Sequence, residues 1–180
     1  FSADHKYLAI FTGQINRKLK LEIRNEKGKI VREVFDITNY YFDPAKNGIV
    51  YCVAKHNTYS IEMLQLKNTI EIKTIIANHA VPFLGLVWKE NSIVFNEDKV
   101  SDSMLFNFNI TKDKLSILDS KIVDGFPYSM KISNPIYKKP ILSNDGKRVF
   151  FWLKENLADY DVINTNSVQI WNTKDKLLFD

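Results

Sequence analysis

Three histidines, one cysteine and a scatter of carboxylates are the residues of this 180-residue chain suited to nucleophilic, acid–base or metal chemistry. His5, His56 and His79 have no Ser and Asp companions in a recognisable triad order, although a triad is defined by geometry rather than by spacing. His56 and His79 stand 23 residues apart without a Cys or His at ligand spacing, so each is expected in a loop or at a strand edge rather than on a metal. His5 is expected to be a turn residue. The single cysteine, Cys52, excludes an internal disulfide framework and a Cys-rich zinc site. The acidic run Glu97-Asp98-Lys99-Val100-Ser101-Asp102 lacks the glycine and the spaced carboxylates of a calcium loop, and is expected at a solvated hairpin tip. With 6 glycines the chain has roughly half the usual ~7%, which argues against a glycine-rich phosphate loop. No catalytic, cofactor-binding or metal-ligating residue is assigned on these grounds, and no cofactor is expected.

Composition sets the frame around this sparse chemistry. The 25 basic and 21 acidic side chains leave a net charge of +4, and 45% apolar residues with 13% aromatics are enough to bury a core. No apolar run reaches the ~18 residues of a bilayer-spanning helix. The lysines (Lys18, Lys20, Lys27, Lys29, Lys112, Lys114, Lys138, Lys139, Lys174 and Lys176) are spread over turns, and are expected to recur because a turn recurs, not because a groove is lined. A nucleic-acid surface needs clustered cations near stacking aromatics, whereas Phe150, Phe151, Trp152 and Trp171 sit on strand patterns. Nucleic acid is therefore not an expected partner. The chain opens on Phe1 with no signal-peptide pattern and reads as an excised or processed segment. One cysteine is compatible with either periplasm or cytoplasm.

The elements that position these residues follow from an internal repeat. Four apolar strands, Tyr7–Phe11, Gly48–Val53, Ser92–Phe95 and Arg148–Trp152, each lead through a gap to a second strand, a charged turn and a third apolar stretch. With Leu8, Ile49, Ile93 and Val149 taken as equivalent, the spacings are 41, 44 and 56 residues, the last stretched by an insertion around Glu155–Asn166. Leu21–Ile30 aligns with Val168–Leu177, and Thr111-Lys112-Asp113-Lys114-Leu115 recurs identically at Thr173–Leu177. In Phe106-Asn107-Phe108-Asn109-Ile110 the apolar residues alternate, which is a half-buried strand. A short helical turn over Asn156–Val162 is the only helical expectation. A period of about 40–45 residues with some four strands is that of a propeller blade. The expected fold is all-β: a β-propeller of about four blades of four antiparallel strands, partial or open, with blades at 1–41, 42–85, 86–140 and 141–180. Each apolar lead strand is expected to be the first of its blade and buried on both faces.

Two turns carry a resemblance. Phe1-Ser2-Ala3-Asp4-His5-Lys6-Tyr7 and Leu142-Ser143-Asn144-Asp145-Gly146-Lys147-Arg148 share a Ser-x-Asp-x-Lys core, with a degenerate copy at Phe42–Ile49. This resembles the Ser-Pro-Asp-Gly-Lys signature of TolB-like blades, found also in the N-terminal propellers of prolyl oligopeptidase and dipeptidyl peptidase relatives (S9-type serine peptidases). The motif has a mechanical meaning. Ser2, Asp4, Ser143 and Asp145 can fix the turn by bonding backbone N–H groups, Gly146 supplies a positive φ, and Lys6 and Lys147 close the pattern. At Gly146's place His5, Asn47 and Asn91 are expected in the other turns, residue types that tolerate positive φ.

What the resemblance implies is a non-catalytic propeller that gates or shapes peptide substrate access to a C-terminal α/β-hydrolase domain of the same protein. That family's Gly-x-Ser-x-Gly nucleophile elbow is absent from this chain. The glutamate pair that anchors a peptide N-terminus in dipeptidyl peptidases has no matching motif, and Glu155 and Asp161 are the nearest carboxylates. The alternative is a TolB- or WD40-like scaffold that binds a protein or peptide with no associated enzyme, and a lectin-like propeller would need exposed aromatic platforms. Four blades would leave an open arc, so self-association through uncovered edges is expected.

Overall fold

The computed structural model describes residues 1–155 other than Ala3, 14–17, Pro44, Lys46, Asn68, 100–102, Tyr128, Ser129 and Tyr137, together with the backbone of 167–172. The element order is β1 (Tyr7–Gly13), β2 (Leu19–Asn25), β3 (Ile30–Asp43), β4 (Gly48–Lys55), β5 (Thr58–Leu66), β6 (Ile70–His79), β7 (Phe83–Lys89), β8 (Ser92–Glu97), β9 (Leu105–Asn109), β10 (Lys114–Leu118), β11 (Met130–Ile132), β12 (Ile141–Leu142), β13 (Arg148–Glu155) and β14 (Ser167–Asn172). The chain divides into two compact units, Phe1–Pro82 and Phe83–Asp180.

In the first unit all six strands form one antiparallel sheet in chain order. Its centre is β4, whose Ile49, Val50, Tyr51, Cys52 and Val53 are β-branched or apolar and almost fully buried, as the middle strand of a covered sheet requires. Leu21, Ile23, Ile37, Ile49, Tyr51, Val53, Leu64 and Leu66 make the core. The β4–β5 connection is a two-residue turn in which His56 and Asn57 have φ of 46° and 65°, the double positive φ of a type I′ hairpin. Strand β3 does two jobs. Residues Ile30–Ile37 pair with β2 and Ile37–Asp43 pair with β4, the register shifting between Ile37 and Asn39. The expected junction at 41/42 thus falls inside a single strand.

In the second unit β7–β10 form a four-stranded sheet, ordered β10-β9-β8-β7. Strand β13 pairs with β14 on one side and with both β11 and β12 on the other, β11 meeting Leu153–Glu155 and β12 meeting Val149 and Phe150. The outer strand is interrupted where Pro135 and Pro140 lie, since proline cannot donate to a ladder. Val94, Leu105 and Leu118 of the first of these sheets share a core with Ile132, Leu142, Val149, Phe151 and Leu153 of the second, so the two sheets stack face to face. The opposite face of the β7–β10 sheet holds Phe83, Phe95 and Phe106, with centroids 5.3–5.5 Å apart.

Of the four lead strands only that in β1 stands first in its sheet among the described residues. β4, β8 and β13 each have a partner on both sides, and in the complete four-stranded sheet β8 stands second, after β7. Their apolarity follows from that interior position. β8 is buried throughout, β13 alternates, and β1, which pairs only with β2, is half-buried. The helical turn expected at Asn156–Val162 and the repeat copy at Thr173–Leu177 lie outside the described residues.

Candidate functional site

The two Ser-x-Asp-x-Lys turns are built alike. Ser2 Oγ donates to Asp4 Oδ1 at 2.7 Å and accepts the Tyr7 N–H at 3.0 Å, while the Lys6 N–H reaches Asp4 Oδ1 at 3.3 Å. In the other copy Ser143 Oγ donates to Asp145 Oδ1 at 2.5 Å and accepts the Arg148 N–H at 3.0 Å, while the Lys147 N–H reaches Asp145 Oδ1 at 3.1 Å. The serine hydroxyl, foremost, and then the lysine N–H hold each aspartate below the usual carboxylate range. These atoms are spent on turn geometry. His5 and Gly146 occupy the matching positive-φ positions at 56° and 66°. Asn47 shares that conformation at 50°, but in the third turn it falls on Glu90, at 47°, and not on Asn91. The β7–β8 loop is a two-residue hairpin with positive φ at its first central residue, as a type II′ turn has, and Trp88 Nε1 donates to the Glu90 carbonyl at 3.1 Å.

The sites considered for chemistry stay apart. His5 and His56 are in turns and His79 ends β6. Among the described residues no group of three His, Cys, Asp or Glu is placed to hold a metal ion. Cys52 is buried in β4. Glu155 closes β13 opposite Met130, and Asp161 lies outside the described residues. The acidic run is not a solvated tip at its start. Glu97 is fully buried, its carboxylate 3.1 Å from Lys99 Nζ, and Ser103 Oγ donates to its carbonyl at 2.7 Å. Asp98 accepts from Asn134 Nδ2 at 3.1 Å, so the segment folds back onto the protein. Of the tryptophans, Trp88 is buried and Trp152 is half-buried beneath Lys138, whose ammonium lies 5.4 Å from the ring centroid.

Period-two alternation instead builds a polar cleft of about 470 Å³ in the second unit. On β9, Asn107 and Asn109 point away from Phe106 and Phe108. The ladder sets Ser92 and Lys114 beside Asn109, and Val94 and Ser116 beside Asn107. The next row, Asn96, Leu105 and Leu118, carries the face into the shared core. One end of the face is therefore apolar and covered by the neighbouring sheet, and the other is polar. Over the polar end sits the turn Asp145–Arg148 of that neighbour.

Gly146 fixes this seating. Ser92 Oγ donates to the Gly146 carbonyl at 3.0 Å, and Lys89 Nζ donates to Asn144 Oδ1 at 2.8 Å. A Cβ on Gly146 would lie 2.9 Å from the Lys89 carbonyl oxygen and 3.1 Å from Glu90 Cβ.

Four cations, Lys112, Lys114, Lys147 and Arg148, line this cleft against one carboxylate, Asp145, and none of the four forms an ion pair among the described residues. Lys112 and Lys114 thus do line a groove, contrary to the expectation from the spread of lysines. Asn109 Oδ1 is satisfied by the Lys112 N–H at 2.9 Å. Asn107 is only 8% exposed and its Oδ1 accepts no hydrogen bond. Such an orphan acceptor costs about 1–3 kcal/mol. The sequence signal for this site was an Asn-x-Asn strand followed across a turn by Lys-x-Ser, which period two places on one face.

The architecture defines the class: the fold is a β-propeller, and the chain supplies a propeller scaffold. Three solved structures share it. The chain matches TolB from Acinetobacter baumannii at a TM-score of 0.55 and 14% identity, over 96% of this chain and 42% of that one. It matches the β-propeller domain of the Trilobed protease from Pyrococcus furiosus, described as having an open velcro topology, at 0.62 and 12%, over 94% and 51%. It matches a putative TolB from Agrobacterium tumefaciens at 0.51 and 14%, over 96% and 60%. The chain therefore spans about two-fifths to three-fifths of the length of these structures. No family model matches the sequence, and no curated protein does.

Proposed function

We propose that this chain is a non-catalytic propeller segment of a prolyl-oligopeptidase-like serine peptidase, which gates or shapes the approach of peptide substrate to a C-terminal α/β-hydrolase domain of the same protein. The observation that carries this reading is the likeness, over 94% of the chain, to the propeller domain of a protease. The turns support it, because their serines and aspartates serve hairpin geometry and leave the chemistry to another domain. The test is made on the full-length gene product with a fluorophosphonate probe and a proline-containing peptide. Labelling of a serine in a Gly-x-Ser-x-Gly elbow, with peptide cleavage that stops on its substitution, is the expected result. A gene product that consists of further blades alone and takes no label overturns it.

The likeness to two TolB structures favours a second reading, a protein- or peptide-binding scaffold with no associated enzyme. A stable complex captured by that label-free gene product would select it. Self-association through blade edges is a further part of the proposal, and a mass that stays monomeric across a hundredfold range of concentration in light scattering would refute it.

A further inference from the structure

We infer that the cleft between the two sheets of the second unit is a binding site for a carboxylate-rich peptide segment. The inference goes beyond the proposed function, and stands whether or not a hydrolase accompanies the propeller. Lys112 from the β9–β10 turn and Lys114 from the start of β10 face Lys147 and Arg148 from the turn before β13 across one cavity. Among the described residues the one carboxylate lining it is Asp145, which Lys147 and Arg148 attract without coming within ion-pair distance, so four cations face a single acid. An excess of cations in a concave site raises the local concentration of anions and orients them. The volume of about 470 Å³ is within the range of specific ligand sites, about 300–1,000 Å³.

Asn107 narrows the ligand. Its side chain is nine-tenths buried and lines the cleft, and its Oδ1 accepts nothing. That oxygen needs a hydrogen-bond donor. A free ionised dicarboxylate such as succinate brings acceptor oxygens and no donor, whereas a peptide backbone brings an N–H at every residue. Among the described residues no aromatic side chain lines the cleft, which disfavours the stacking that single-stranded nucleic acid uses. A peptide with Asp or Glu side chains satisfies the cations and the orphan acceptor together.

The experiment titrates the 180-residue chain into a fluorescein-labelled, end-capped hexaglutamate and follows anisotropy, with a hexalysine peptide, a twelve-residue oligothymidylate and succinate as comparison probes. Hexaglutamate is expected to bind with a dissociation constant on the order of 10–100 µM that weakens as salt rises. Lys112→Glu and Lys147→Glu are each expected to weaken it about tenfold. Lys131→Glu makes the same charge change at the far end of β13, where β11 pairs, and is expected to leave binding within about twofold. Asn107→Asp is expected to lose about tenfold, and because this buried change can unfold the sheet, the amide side-chain resonance of Asn107 is followed in the unaltered protein. It is expected to shift on peptide addition and not with succinate. Absence of hexaglutamate binding overturns the inference. So does equal weakening by Lys131→Glu, tighter binding of the oligonucleotide at the same residues, or an Asn107 amide that does not move.

Discussion

Replacing Gly146 with alanine tests whether the turn before β13 is wedged against the β7–β8 hairpin. Two costs add there. The backbone has a φ of 66°, which a Cβ disfavours by about 1–2 kcal/mol. The same Cβ would meet the Lys89 carbonyl oxygen at 2.9 Å and Glu90 Cβ at 3.1 Å, and backbone cannot move as a flexible side chain can, so overpacking adds about 1–3 kcal/mol. The expected loss is about 2–5 kcal/mol. Gly28 provides the comparison: its φ is 76° and nothing lies within 4 Å of its added Cβ, so Gly28→Ala is expected to lose only the backbone part, about 1–2 kcal/mol. Gly146→Asn separates the two terms further. Asparagine tolerates the left-handed region but still carries a Cβ, so it should recover part of the φ cost and none of the clash. Urea denaturation followed by tryptophan fluorescence measures all three. If Gly146→Ala costs no more than Gly28→Ala, the seating of one turn on the other contributes nothing and the reasoning fails.

The other turns and the core give three more expectations. Asp4 and Asp145 have folded pKa values held below their unfolded values, so the stability they contribute is present above about pH 4 and is lost as pH falls through the folded value; Asp145→Asn should flatten the acid limb of stability measured by denaturation between pH 5 and pH 2, and an unchanged limb would contradict the serine–aspartate account. The pair His56→Asn with Asn57→Gly supplies the preferred residues of a type I′ turn and should raise stability by about 0.5–1 kcal/mol in urea melts, whereas a loss would show that His56 does more than turn the chain. Tyr51 is fully buried, burial pushes its phenol up, and its hydroxyl donates to Glu62 Oε2 at 2.8 Å; Tyr51→Phe should cost about 1–3 kcal/mol in the same assay, and a neutral result would mean that the carboxylate is served by water.

Strands and turns were legible because both write strong local signals. The Lys-Gly-Lys and Lys-Asp-Lys reversals do coincide with positive φ at Gly28 and Asp113, and the i to i+3 backbone bond recurs, from Gly28 N–H to the Asn25 carbonyl and from Asp113 N–H to the Ile110 carbonyl. What stayed hidden depends on which strand lies next to which. Interior position, not first place, makes β4 and β8 apolar, and a run of hydrophobic residues is the same for either. The register shift in β3 is marked by no Gly or Pro, and its Asp36, at φ 60°, resembles any surface aspartate in sequence. Asn107 and Glu97 read as surface residues by type, and are buried because non-local chain covers them. The cationic cleft escaped because its lysines come from two turns more than thirty residues apart in the chain.

Strand β3 has a mechanical consequence. Ile37, with no exposed surface, is the pivot at which the strand hands its hydrogen bonds from β2 to β4, pairing Leu19 on one side and Val53 on the other. Fraying from β1 and β2 inward cannot stop at a loop, since there is none between the two ladders. It reaches a residue anchored in the core, where the backbone changes register. The first half of the unit therefore borrows its rigidity from the second through one covalent rail, and a single inserted or deleted residue beside Ile37 would put every downstream side chain of that rail on the wrong face of the sheet.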